Sequence, residues 1–231
     1  MKFSIRKNPI RLIIIFSIFG MINKAVHADS LACGSLKIAG GGPYDYRNER
    51  EELSKVEGAH FTDVVEALIR GTTSNSPGGD IGFTLAVFPN NHRALIAMMK
   101  LGEREKTSKP SGSRYTVECW FDRATQFRPD DSVVRMIYSS YLDSKGRQLE
   151  ANKQLNIATS YARDSAITHY NIGLHYLKIK NFEMALKQAH QASALGWPQT
   201  SLREQLIQMG KWTEPSVENN KPVVEVQPEA K

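Results

Sequence analysis

The sequence predicts an all-α protein: an α-solenoid of helix-turn-helix repeats with an irregular N-terminal arm and a C-terminal capping helix. Three observations carry this expectation. Residues 132–199 read twice through one 34-residue spacing. In the second copy Gly173, Tyr176, Ala185 and Ala192 fall at positions eight, eleven, twenty and twenty-seven, and in the first Leu142, Ala151, Leu155 and Ala158 fill positions eleven, twenty, twenty-four and twenty-seven, with Gly146 at the turn. Upstream, residues 92–131 run six residues over length yet recover the phase, with Phe121, Ala124 and Pro129 at positions twenty-four, twenty-seven and thirty-two. Small residues at eight, twenty and twenty-seven have a physical cause, because paired helices cross closely there and a larger side chain forces them apart.

Residues 1–28 read as a secretory signal peptide. Lys2, Arg6, Lys7 and Arg11 form a basic start, residues 12–22 an apolar core, and Val26 and Ala28 place small residues before a cleavage site near Ala28. The apolar run is short for a membrane span, which disfavours the alternative of a retained anchor. Removing the peptide takes five of the 30 basic residues and no acid, so the net charge falls from +6 to +1. The sequence pI of 9.3 is therefore mostly signal, and the mature chain has no basic surplus for nucleic acid. The expected location is periplasmic or secreted. In such an oxidising compartment Cys33 and Cys119 are expected to form a structural disulfide; two separately buried thiols are the alternative.

The elements follow in order. Residues 29–58, with Gly40-Gly41-Gly42-Pro43, predict an extended arm that Tyr44 and Tyr46 pack against the body. From His60, the spacing of Phe61, Val64, Val65, Leu68 and Ile69 predicts a helix stopped by Gly71. Asp80 then reads as the cap of a short helix running to Phe88, so that 60–91 is a shortened first repeat. The repeat at 92–131 opens with a helix from Asn91 to about Glu103, and its excess lies in the polar segment 106–114, predicted to be an exposed loop. Repeats at 132–165 and 166–199 are contiguous. Residues 200–212 form the cap, with Ser201 and Glu204 spaced as a capping box, and 213–231 read as a disordered tail.

Period, small-residue positions and the thirty-second-position prolines together make residues 59–212 resemble the tetratricopeptide repeat (TPR) family. Segments 80–95, 119–131 and 169–176 are also similar to a group of exported bacterial repeat proteins. The resemblance implies a right-handed superhelix whose groove binds a protein or peptide. In the family, that groove is lined by fixed positions of each first helix. Here they correspond to Arg93, Ile96 and Lys100, then Val133, Met136 and Ser140, then Ile167, Tyr170, Leu174 and Leu177. One end of the lining is basic and the other apolar and aromatic; the alternative is that Tyr170, Leu174 and Leu177 are covered by the capping helix or the N-terminal arm and that Lys100 is a solvated face. Family members that clamp a C-terminal carboxylate carry Asn at position nine, where this chain has Lys100, Ser140 and Leu174, so an amphipathic helix or an extended segment suits the lining better.

No H-E-x-x-H, nucleophile elbow, phosphate-binding glycine loop or paired Cys/His spacing is present, and His169 and His175, six apart, face different sides of a helix. The expectation is a non-enzymatic scaffold or adaptor without metal or cofactor, bound to membrane only through its export signal. The alternative is a structural or assembly subunit of a cell-envelope machine for secretion, pilus or polysaccharide export.

Overall fold

The computed structural model describes residues 33–37 and 41–215. The expected signal peptide and most of the predicted tail lie outside the described residues, among which there are ten helices and no strand. They are α1 (Arg50–His60), α2 (Asp63–Glu66), α3 (Pro77–Val87), α4 (His92–Glu105), α5 (Val117–Phe127), α6 (Ser132–Ser144), α7 (Gln148–Ala162), α8 (Ala166–Lys178), α9 (Phe182–Ala194) and α10 (Ser201–Gln208). The all-α expectation is met. Helix α6 packs along α7 and α8 along α9, while α4, α6 and α8 lie side by side in sequence order. Helix α10 closes the end against α8 and α9.

Local chemistry sets the helix starts. Asn91, Thr116, Asp131, Ser165 and Asn181 each sit at an N-cap and accept a backbone N–H from the first turn, for example Ala94 N–H at 3.0 Å and Cys119 N–H at 3.1 Å. Gly146, at φ +73°, makes the turn between α6 and α7. Leu142, Ala151, Leu155, Ala158, Ala185 and Ala192 are all buried, at 2 % exposure or less.

Gly173 shows why the small positions matter. A Cβ there would stand 2.4 Å from Leu202 Cδ2 on the cap and 3.2 Å from Gln188 Cβ on α9. Gly173→Val is expected to cost about 2–3 kcal/mol through overpacking, and a β-branched group adds helix strain. Urea unfolding measures the loss, and earlier proteolysis near residue 200 would locate it at the cap. A midpoint equal to wild type would show that the α8–α9–α10 contact is loose.

Four expectations need correction. The arm is not extended throughout, since residues 50–60 form α1. Lys55 pairs with Glu51 and Glu52 on its outer side, and Leu53 packs with Val87 and Phe88. The helix expected over 61–69 is a single turn, α2, after which Leu68 adopts φ +60° and Ile69 is 70 % exposed. Helix α3 begins at Pro77, whose missing N–H costs nothing at a first turn, so Asp80 lies inside it and is not its cap. Loop 106–116 is not wholly exposed: Pro110 and Ser113 are buried, and Ser113 Oγ accepts Trp120 Nε1–H at 2.9 Å.

Two smaller differences occur at the C-terminal end. Thr200, not Ser201, precedes α10, and its hydroxyl donates to Glu204 Oε1 at 2.6 Å. The start of the predicted tail is placed: Thr213 O accepts from His190 Nε2 at 2.8 Å, and Glu214 accepts from Arg203 and Trp212.

The arm docks through a buried polar junction. Tyr44 N–H donates to Val87 O, Tyr44 packs on Phe88 and Tyr46 stands edge-on to His92. Asn90, fully buried, donates through Nδ2 to Asp45 at 2.8 Å and to Asp131 at 2.9 Å, and its Oδ1 accepts Tyr46 N–H. Arg47 and Arg128 then balance the Asp45 charge. One asparagine thus ties the arm to the starts of α4 and α6.

Candidate functional site

Helices α4, α6 and α8 carry the predicted groove residues, and their surroundings differ along the row. At the α4 end, Arg93 forks onto Glu66, with Nε at 3.0 Å from Oε1, and Nη1 reaches Glu57 at 3.3 Å. Its guanidinium lies over the Phe61 ring. The hydrogen bond from Arg93 holds the Glu66 carboxyl below its usual range. Arg104 donates to Leu68 O at 2.6 Å. This end is therefore charge-balanced, not basic as expected, with Lys100 exposed beside it and Ile96 half-buried.

The middle is neutral. Val133 is 39 % exposed, whereas Met136 is buried at 4 %. Ser140 Oγ lies 3.2 Å from His175 Nδ1. Burial, aided by the Lys178 charge, pushes the His175 pKa down to about 4, so the ring is uncharged at neutral pH.

At the α8 end Ile167 is half-exposed and Leu174 is partly buried against the core. Tyr170 and Leu177 are buried, at 7 % and 6 %. The Tyr170 ring packs on Trp197, 5.5 Å between centroids, so the chain leaving α9 covers it. Met136, Tyr170 and Leu177 are core side chains, and Arg93, Lys100, Val133, Ser140 and Ile167 form the accessible part of the lining. The aromatic end expected from the sequence is closed by Trp197, a residue whose own position gave no periodic signal.

A second feature lies on α5, which packs against α4 and α6. Cys33 and Cys119 form a disulfide that joins segment 33–37 to α5. One turn on, Arg123 is 2 % exposed and its Nη1 donates to the carbonyls of Cys33, Gly34 and Ser35 at 3.0, 3.1 and 2.8 Å. Its guanidinium also lies over the Tyr115 and Trp120 rings. Covalent bond and buried cation hold the same three residues. Trp120 and Arg123, three apart on one helix face, were a readable sign that this arginine turns inward.

The disulfide is compatible with an oxidising compartment, and among the described residues no helix is long and apolar enough to cross a membrane. Comparison of the chain with protein-family models, curated proteins and solved structures finds no match.

Proposed function

We propose that this chain is an exported TPR-type scaffold that binds a protein or peptide partner across α4, α6 and α8. The observation carrying this reading is the side-by-side order of these first helices, which leaves Val133 and Ile167 exposed at equivalent positions. The buried small residues at the predicted crossings support the repeat assignment. A partner that fits presents an apolar stripe to Val133 and Ile167 and polar groups to Lys100 and the Arg93–Glu66 pair, as an amphipathic helix does.

The test is photocrosslinking in living cells from single sites at Val133, Ile167 and Lys100. Leu149, 89 % exposed on α7, is the control. A discrete adduct from the first three sites and none from Leu149 is expected. An adduct from Leu149 as strong as the others would favour an assembly subunit enclosed on both faces. No adduct at any of the three, with the protein folded and exported, would remove the proposal.

A further inference from the structure

Segment 33–37, helix α3, loop 106–116 and the Trp120–Arg123 turn of α5 line an open cleft of 370 Å³. That is at the small end of the range of about 300–1,000 Å³ typical of small-ligand sites. Its wall carries three cations, Lys37, Arg114 and Arg123, and no carboxylate. Among the described residues none of the three has an ion-pair partner.

The charge accounting is unusual. A buried guanidinium is costly to desolvate and is ordinarily compensated by an acid. Arg123 has carbonyls and aromatic faces in that role, and its Nε has no hydrogen-bond partner. Burial, followed by the Arg114 charge, pushes its pKa below the ordinary arginine value. Two arginines thus repel each other beside a walled cleft, where low-dielectric surroundings concentrate the field on whatever enters. The cavity also has ring walls. Tyr115 stands edge-on to Trp120 at 5.1 Å, and Phe83, 47 % exposed, lines the same space.

We propose that this cavity binds a small organic oxyanion, a carboxylate or phosphate ester on a hexose-sized body, with Arg114 and Lys37 on the anion and Phe83 and Tyr115 against the ring. Arg123 is the fixed positive charge behind them and, with the disulfide, holds the 33–37 wall in place. This site is separate from the helix row and does not depend on it.

The experiment is isothermal titration calorimetry of the oxidised mature chain with glucuronate, glucose 6-phosphate and neutral glucose. At least one of the two anions is expected to saturate the protein while glucose does not. Arg114 and Lys37 are both exposed, so Arg114→Gln and Lys37→Gln should fold normally, verified by unchanged melting. Each is expected to weaken anion binding about tenfold, the loss of one charge-assisted hydrogen bond. Binding of glucuronate alone assigns a carboxylate source, and of the phosphate alone an ester source. Equal binding of glucose, no binding of either anion at millimolar concentration, or unchanged affinity in both variants would overturn the proposal.

Discussion

Replacing Cys33 and Cys119 together by serine is expected to lower the unfolding free energy by about 2–5 kcal/mol and the melting temperature by roughly 5–15 °C. The two cysteines are 86 positions apart, so the bond removes a large share of the unfolded chain's freedom. The chain-entropy model puts such a loop at about 4–5 kcal/mol as an upper figure. A second loss follows in the folded state. Arg123 Nη1 is satisfied by the carbonyls of Cys33, Gly34 and Ser35, and an untethered segment leaves that buried cation partly unpaired. Urea unfolding of the oxidised, reduced and double-serine proteins measures the effect. The reduced and double-serine forms should coincide, with a steeper denaturant dependence than the oxidised form because their unfolded states expose more surface. Limited proteolysis should cut first within residues 33–49. Equal midpoints for all three forms would mean that the tether constrains nothing that folding needs.

The legible parts of the fold are those whose determinants are local. Between residues 132 and 199 the small side chains that permit helix crossing recur at fixed spacing, and capping residues such as Asp131, Ser165 and Asn181 mark the starts. Where the determinants are tertiary, the sequence misleads. Helix α1 presents one fully buried side chain, Leu53, and holds its place by docking on Val87 and Phe88, so its hydrophobic period is faint and the glycines before it dominate the reading. Asp80 precedes an apolar run as N-caps do, yet Pro77 starts the helix three residues earlier.

The candidate surface divides the same way. The repeat resemblance places Tyr170 in a groove, but Trp197, twenty-seven residues on, folds over it. The cleft beside α3 and α5 assembles Lys37, Arg114 and Arg123 from three separate elements, an arrangement no window along the chain displays. Its charge is also hidden by the overall balance, which is only +1 outside residues 1–28. Local concentration of one sign, not net charge, is what a small anion meets.

Asp80→Asn is expected to destabilise the protein by about 3–4 kcal/mol, because it breaks the centre of the N-terminal half. The Asp80 side chain is fully buried and accepts hydrogen bonds from the N–H groups of Thr72, Thr73 and Ser74 at 2.8, 3.2 and 3.1 Å. The hydroxyls of Thr73 and Ser74 and the ring Nδ1 of His60 complete the set. Asparagine offers one acceptor oxygen in place of two and turns its NH2 toward groups that are themselves donors, so several buried N–H groups lose their partner. Loop 71–76 exists in this shape because the carboxylate gathers it. Burial raises the Asp80 pKa, but the bonds from Thr73, His60, Ser74 and the Thr72 N–H outweigh it and leave the carboxyl well below its usual value. A depressed folded pKa means stability that is fully present above the unfolded value, about 3.9, and lost as pH falls below it. Asp45, held down by Arg47 and Asn90 against its own burial, acts in the same direction. The wild-type urea midpoint should therefore be flat near neutrality and fall below about pH 4. Asp80→Asn should start lower and fall less steeply, since the proton that Asp80 takes up on unfolding is no longer available. An acid limb of unchanged slope in the variant would show that folding does not hold the Asp80 carboxyl below its unfolded value, and the loop would then owe its shape to its own turns.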